Sequence, residues 1–160
     1  MAVLSDKNIL TALDSGILKI DPFNQDNLTP NGYDLTISEI ALPNTSAITT
    51  GSLSIQPNTR FAVSTLENIV CASNITAQLW LRTSWARKGV MATFGKVDAG
   101  FDGTLTIASF NADTEEIIIS IGETYAQIVF ETLSEKAEKV YGERSGNYQN
   151  QSGITWSKDK

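Results

Sequence analysis

The chain has 160 residues, a formal net charge of −6 at pH 7, no histidine and one cysteine, Cys71. These absences exclude a Ser-His-Asp triad, a Cys-His pair, a cysteine-rich zinc site and an internal disulfide. The negative charge argues against binding to a nucleic acid polymer, because neutralising its phosphates requires a clustered basic surface.

The composition is that of a single globular domain, with 41% hydrophobic and 19% charged residues. The N-terminal segment MAVLSDKNIL has no basic stretch followed by an apolar one, and no apolar run approaches the length that spans a membrane. A lone cysteine fits a reducing compartment. We therefore expect a cytoplasmic protein without a membrane partner.

The first predicted element is an amphipathic helix over residues 5–15. Ser5 is a suitable N-terminal cap, and Gly16 is a suitable stop. The apolar residues that share one face of this helix are Ile9, Leu10 and Leu13.

A strand and a tight turn follow the helix. Ile17–Ile20 is a short strand candidate, and a turn is predicted within Thr29–Leu35, where a Pro and an Asn-Gly pair favour chain reversal. This turn leads directly into a further strand. Asp34 is therefore predicted to lie at the start of a strand.

The remainder of the chain as far as Leu133 has the pattern of β-structure, with short runs of Ile, Val, Thr and Phe separated by Gly, Pro and Asn. The clearest predicted strands are Arg60–Leu66, Gln78–Leu81, Thr104–Phe110, Glu116–Ile121 and Tyr125–Thr132. Ser84–Lys88 is long enough only for a helical turn. We predict an all-β fold, a barrel or jelly roll, with a short N-terminal helix.

The composition changes after Leu133, which separates a β domain over residues 1–133 from a polar segment over residues 134–160. The segment is too rich in Gly, Asn and Gln to bury a core of its own. A frayed tail is one interpretation. Its aromatic rings, amide side chains and arginine also suit contact with a nucleotide, so a flexible lid that orders over an active site is the other.

The loop Gly95–Gly103 places an acid, Asp98, three residues before an aromatic ring, Phe101. The glycines around them allow sharp turns and a close approach of the backbone to a ligand. Such a loop can hold a carboxylate beside a flat ring.

Several segments together resemble the dCTP deaminase/dUTPase superfamily, in particular its deaminase-like branch with archaeal and viral dUTPases. They are, in order, SDKNIL, IDPF, PNGYDL, LRTSWARKG, GKVDAGFDG, GETYAQIVFE and YGERSGNYQNQSG. The resemblance implies a distorted β-barrel or jelly roll of the β-clip type, assembled as a homotrimer with active sites between subunits. It also implies Mg²⁺ as cofactor and, for a viral member, the host cytoplasm as location.

The resemblance assigns catalytic roles to two residues. Asp98 matches the acid that orients the attacking water in dUTPases, and Gln127 matches the glutamine that follows the last glycine motif. Phe101 matches the aromatic residue that packs on the deoxyribose. Asp34 belongs to the first motif and is a candidate for holding the metal through water, with a hydrogen bond at the strand start as the alternative.

The remaining matches concern the triphosphate. Thr83 and Ser84 match residues whose hydroxyl and N–H groups meet the phosphates, and Arg87 matches the arginine that faces them. Tyr148 and Gln151 match the C-terminal lid that contacts the triphosphate.

The chain departs from the family pattern at two positions. Asn147 stands where many relatives have Lys, which weakens the charge of the lid. Ala108 stands where the deaminases carry the Glu that shuttles protons between water and the cytosine ring, and a methyl group cannot replace it. The nearest acids in sequence, Asp102 and Asp113, flank this strand.

Three functions follow from these residues. The first is hydrolysis of dUTP by water attack on the α-phosphate, assisted by Mg²⁺. The second is dCTP deamination, alone or combined with dUTP hydrolysis, with another acid in place of the missing Glu. The third is a catalytically idle protein that binds a nucleotide and serves as a sensor or regulatory protein. Zinc-dependent base deamination is excluded by the absence of a ligand set.

Overall fold

The computed structural model describes residues 2–157 and consists mainly of antiparallel strands, so the predicted all-β fold class is confirmed. The helices are α1 (Asp6–Asp14), α2 (Thr83–Ala86) and α3 (Tyr141–Arg144), with a 3-10 turn at Gln25–Asn27. The strands are β1 (Leu18–Asp21), β2 (Leu28–Thr29), β3 (Gly32–Ala41), β4 (Ser52–Ile55), β5 (Thr59–Thr65), β6 (Asn68–Cys71), β7 (Ile75–Leu81), β8 (Val90–Thr93), β9 (Lys96–Val97), β10 (Asp102–Gly103), β11 (Thr106–Asn111), β12 (Ile117–Ser120) and β13 (Thr124–Thr132).

The largest sheet has the strand order β8-β11-β5-β3-β13-β7-β9, and β2 pairs with β3 beside it. Two smaller sheets have the orders β1-β6-β10 and β12-β4. Strands that are distant in the chain pair within the large sheet, as β5 and β11 do. The largest fully buried aromatic side chains of the core are Tyr33, Phe61, Tyr125 and Phe130.

Helix α1 confirms the first predicted element. The Ser5 hydroxyl accepts a hydrogen bond from the Asn8 N–H at 3.3 Å, which caps the first turn. At the other end Gly16 has a φ of +71°, a conformation that favours glycine and ends the helix. Ile9 is fully buried and anchors the helix to the barrel.

The predicted turn after Thr29 is also confirmed. Leu28 pairs with Tyr33 and Thr29 with Gly32, which leaves Pro30 and Asn31 as a two-residue connection between β2 and β3. As predicted, Asp34 lies near the start of β3.

Other boundaries differ from the prediction. The predicted strand Thr104–Phe110 is observed as β11, which begins two residues later. The predicted helical turn at Ser84–Lys88 begins and ends earlier, as α2. The three short strands β8, β9 and β10 were not predicted. Within residues 2–157, the structure has no helix whose length and apolar character would let it cross a membrane.

Candidate functional site

Two concavities hold most of the residues singled out from the sequence. The first, here called the Asp98 cavity, has a volume of about 300 Å³, and the predicted site residues that line it are Asp98, Phe101, Tyr148 and Gln151. The second, called the Asp34 groove, has a volume of about 500 Å³ and is lined by Asp34, Thr83, Ser84 and Gln127. Arg87 lines neither of them.

Asp98 sits at the beginning of a tight turn that follows β9. The Phe101 N–H donates to the Asp98 carbonyl at 3.1 Å, and the Gly100 N–H donates to the Cys71 carbonyl at 3.0 Å. Gly100 has a φ of +84°, and a Cβ atom there would lie 2.4 Å from the Cβ of Val140. The turn therefore requires glycine and is fixed to strand β6.

The Asp98 side chain itself is exposed, and its carboxylate has no hydrogen-bond or ion-pair partner among residues 2–157. A carboxylate in this state keeps its acceptor positions available for water or a ligand hydroxyl. The fixed backbone below it limits where those positions can point.

Phe101 forms an apolar wall of the Asp98 cavity and is only 5% exposed. Its ring meets the Tyr141 ring edge-on, with 5.7 Å between the centroids. The Tyr141 hydroxyl accepts a hydrogen bond from the Tyr148 N–H at 3.0 Å, which attaches the C-terminal segment to this wall. Sequence reasoning did not single out Tyr141, although it lies within the motif YGERSGNYQNQSG.

The floor of the Asp98 cavity is formed by β5 and β11, with Ala62 paired to Ala108. Among residues 2–157, Asp98 is the only acidic residue that lines the cavity. Asp102 instead accepts a hydrogen bond from the Asn68 amide at 2.8 Å, and Asp113 accepts one from the Thr114 N–H. Neither Asp102 nor Asp113 lines the Asp98 cavity beside Ala108.

The C-terminal segment lies along β10 and the start of β11. Gln151 forms a parallel bridge with Gly103, and its side-chain N–H donates to the Thr104 carbonyl at 2.6 Å. The Gln149 amide donates to the Gly100 carbonyl at 3.1 Å and accepts from the Asp102 N–H at 3.3 Å. These bonds connect the segment to the turn that carries Asp98.

The end of the described segment covers the floor. The Thr155 N–H donates to the Thr106 hydroxyl at 3.0 Å, and Trp156 lies with its ring centroid 5.3 Å from the guanidinium carbon of Arg60. Neither Arg60 nor Trp156 was predicted to be functional, because no local motif connects residues so far apart in sequence.

The Asp34 groove is organised by an ion pair. The Asp34 carboxylate lies 2.9 Å from Nε of Arg82, which also contacts Thr124. Burial raises the pKa of Asp34, and the Arg82 guanidinium counteracts part of that rise. Gln127 donates to the Thr29 hydroxyl at 2.9 Å. Sequence reasoning overlooked Arg82 although it is part of the motif LRTSWARKG.

The short helix α2 borders this groove and carries three predicted phosphate contacts. Thr83 and Ser84 are exposed in its first turn and line the groove, while Arg87 is exposed at its C-terminal end. Trp85 points the other way, and its indole N–H donates to the Thr124 carbonyl at 2.9 Å. The helix thus presents hydroxyl groups and a guanidinium to solvent.

The chain is similar in sequence to proteins that are already known. A family model described as dCTP deaminase-like matches residues 42–133. A dCTP deaminase from Thermococcus kodakarensis is 38% identical over 144 residues, covering 88% of this chain and 91% of the relative. A probable deoxyuridine 5'-triphosphate nucleotidohydrolase from Sulfolobus islandicus rod-shaped virus 1 is 34% identical over 160 residues, covering 98% and 99%.

The fold also matches a solved structure. The 2'-deoxycytidine 5'-triphosphate deaminase from Agrobacterium tumefaciens superposes with a TM-score of 0.68 at 17% identity. The match covers 80% of this chain and 47% of that one, so this chain spans about half of that structure.

Proposed function

Because the chain belongs to the dCTP deaminase/dUTPase superfamily of nucleotide-metabolism enzymes, we propose that it is a dUTP diphosphatase, which hydrolyses dUTP to dUMP and pyrophosphate. The supporting observation is Ala108 on the floor of a cavity whose only acidic lining residue among residues 2–157 is Asp98. Deamination needs a group that deprotonates water and protonates the leaving amine. Phosphate hydrolysis needs a positioned water and stabilisation of negative charge.

In the proposed reaction the Asp98 carboxylate accepts a hydrogen bond from a water and aims its oxygen at the α-phosphorus. A new P–O bond forms as the bond to the β-phosphate oxygen breaks, and pyrophosphate leaves with the bonding electrons. The proton of the water passes to Asp98 and then to solvent. Phe101 packs against the deoxyribose, where a 2'-hydroxyl group would meet its ring.

The phosphate contacts come from the Asp34 groove and the C-terminal end of α2 of another copy. Within one chain, Asp98 and the α2 residues line different concavities, so a single site of this design needs both surfaces brought together. In a homotrimer, Thr83, Ser84 and Arg87 of one copy contact the phosphates of the nucleotide bound at Asp98 of the next. Gln127 supports this junction from β13.

The C-terminal segment, residues 134–160, completes the site as a lid over the nucleotide. Tyr148 and Gln151 line the Asp98 cavity, which supports their proposed contact with the triphosphate. The amide of Gln151 uses one N–H to bond the Thr104 carbonyl, which leaves its second N–H for a phosphate. The last three residues of the proposed lid lie outside the described part of the chain.

A Mg²⁺ ion coordinated by the triphosphate is compatible with the residues of this site. Among residues 2–157 no cluster of three or more His, Cys, Asp or Glu side chains could hold a metal. Mg²⁺ commonly keeps several waters and takes substrate phosphates as ligands, so the triphosphate would supply most of its protein-independent ligands here while Asp98 holds the attacking water. Asp34 is paired with Arg82, so its contact with the ion would run through water. When bound, Mg²⁺ offsets the charge that develops on the phosphates.

Deamination of dCTP is the second candidate because the relative from Thermococcus kodakarensis carries that name. Incubating the purified protein and Mg²⁺ with dUTP, and separately with dCTP, distinguishes the candidates. Pyrophosphate from dUTP alone supports the proposed hydrolysis. Ammonia or dUTP formed from dCTP supports deamination, and nucleotide binding without turnover supports a regulatory binding protein.

A further inference from the structure

Arg60 lies beside the place on the cavity floor where a carboxylate is missing. Strands β5 and β11 pair with Ala62 opposite Ala108 and Arg60 opposite Phe110. Because alternate residues of a strand face the same side, Arg60 and Ala62 share one face, and both line the Asp98 cavity with Ala108. Both alanines are small, so no long side chain at these two positions separates Arg60 from the cavity.

The guanidinium of Arg60 keeps its donors available. Its carbon lies 5.3 Å from the centroid of the Trp156 ring, a cation–π contact that restrains the group without using its N–H donors. Among residues 2–157 it has no ion-pair or hydrogen-bond partner. An arginine that lines the cavity, held against an aromatic ring and with free donors, is suited to contact the edge of a ligand.

We propose that Arg60, held against Trp156, selects nucleotides whose pyrimidine carries an oxygen at C4. This rests on the proposed function, because it takes the pyrimidine of the nucleotide to lie over Ala108. Uracil has a carbonyl oxygen at C4 that accepts a hydrogen bond, whereas cytosine has an amino group there that donates. Arginine can only donate.

The selectivity follows because two hydrogen-bond donors face each other when the base is cytosine. With uracil the guanidinium forms a hydrogen bond strengthened by its charge. With cytosine the guanidinium and the amino group face each other, and both stay unpaired in a site that excludes part of the water. Arg60 thus favours uracil, the base that deamination would produce, over cytosine, the base that it would consume.

Equilibrium binding tests this proposal without relying on turnover. The affinities of α,β-imido-dUTP and α,β-imido-dCTP are measured by calorimetry for the unmodified chain and for Arg60→Met. We expect the unmodified chain to favour the uracil nucleotide at least about tenfold, and Arg60→Met to bring the two affinities to within about threefold. The change should come mainly from weaker binding of the uracil nucleotide.

Two further variants separate the role of Arg60 from a general effect of charge. Arg60→Lys keeps the charge but loses the planar group, so we expect an intermediate preference. Lys19→Met removes an exposed cation outside the cavity, where Lys19 pairs with Asp21, and should leave the preference unchanged.

Three results would overturn the assignment: no preference in the unmodified chain, a preference that survives Arg60→Met, or an equal loss of both affinities, as for a phosphate contact. A chain that shows the expected preference but releases no pyrophosphate from dUTP would refute the proposed hydrolysis and leave the role of Arg60 supported.

Discussion

Asp98 is the residue whose carboxylate the proposed hydrolysis requires. Asp98→Asn keeps the size of the side chain and the turn below it, which is formed by backbone bonds to Asp98 and Cys71. An amide cannot take a proton from the attacking water, so we expect dUTP hydrolysis to fall by about a hundredfold or more. Pyrophosphate release gives the rate, and calorimetry with α,β-imido-dUTP should show that binding changes little.

A second residue-scale prediction concerns stability. Glu67 is buried, with 1% exposure, and accepts a hydrogen bond from the Thr36 N–H at 2.9 Å. Burial raises the pKa of Glu67 above its ordinary value of 4.5, and this hydrogen bond only partly opposes the rise. The native state therefore keeps a proton on Glu67 at pH values where the unfolded chain has lost it.

The sign of the effect follows from proton linkage. As pH rises from the ordinary pKa through the raised one, the native state binds more protons than the unfolded state, so the free energy of unfolding falls. Glu67→Gln removes this contribution. Urea unfolding from about pH 4 to about pH 8 should show that the free energy of unfolding of the variant rises relative to that of the unmodified chain as pH rises. Glu135→Gln, at an exposed position, is the matched control, and parallel curves for Glu67→Gln and the unmodified chain would contradict the prediction.

Residues within one local motif were easier to single out from the sequence than residues that only the fold brings together. Asp98 and Phe101 lie in one short loop between glycines, so a carboxylate beside an aromatic ring was predictable, while their roles towards a nucleotide came from the family resemblance. Arg60 and Trp156 meet only because β5 pairs with β11 and the C-terminal segment returns over both. That meeting depends on strand order, which a single sequence does not contain.

At the scale of elements, the C-terminal segment is held by a close fit at Gly153. Gly153 has a φ of +66°, and a Cβ atom there would lie 2.7 Å from the Glu39 carboxylate. The same carboxylate accepts a hydrogen bond from the Ile154 N–H at 2.9 Å. Any side chain at position 153 must therefore displace the segment or Glu39.

Gly153→Ala should loosen the segment over the Asp98 cavity. We expect faster amide hydrogen exchange in residues 149–157 and a KM for dUTP that rises about threefold to tenfold, because ordering the segment then opposes binding. Gly51→Ala is the matched control, since Gly51 also has a positive φ, +76°, but nothing lies within 4 Å of its Cβ position. Equal exchange in the two variants would show that the fit at Gly153 does not hold the segment.

Elements were predictable where their signals are local. Helix α1 begins at a serine cap and ends at a glycine, and the β2–β3 turn contains Pro and Asn next to Gly. Strands β9 and β10 have two residues each, too few to show a period of any kind. They exist because β7 and β6 offer free edges to pair with, which is a tertiary cause.

At the scale of the whole molecule, the division of site residues between two surfaces leads to a test of assembly. Asp98→Asn and Arg87→Ala damage different surfaces, so each variant alone should be inactive towards dUTP. Co-refolded mixtures should recover part of the activity, because some sites then combine the intact Asp98 cavity of one copy with the intact α2 of another. Light scattering should give the mass of a trimer of the 17.4 kDa chain. A mixture no more active than its components would refute sites shared between copies.

The position of Trp156 gives the protein a built-in optical probe. Of the other two tryptophans, Trp85 is buried, and Trp80 is 58% exposed and lines the Asp34 groove instead of the Asp98 cavity. The indole of Trp156 rests against a positive charge at the edge of the Asp98 cavity, so we expect a bound nucleotide to alter its surroundings, and Trp80→Phe removes the emission from the groove. Its ultraviolet emission would then report occupancy in real time, without a dye attached.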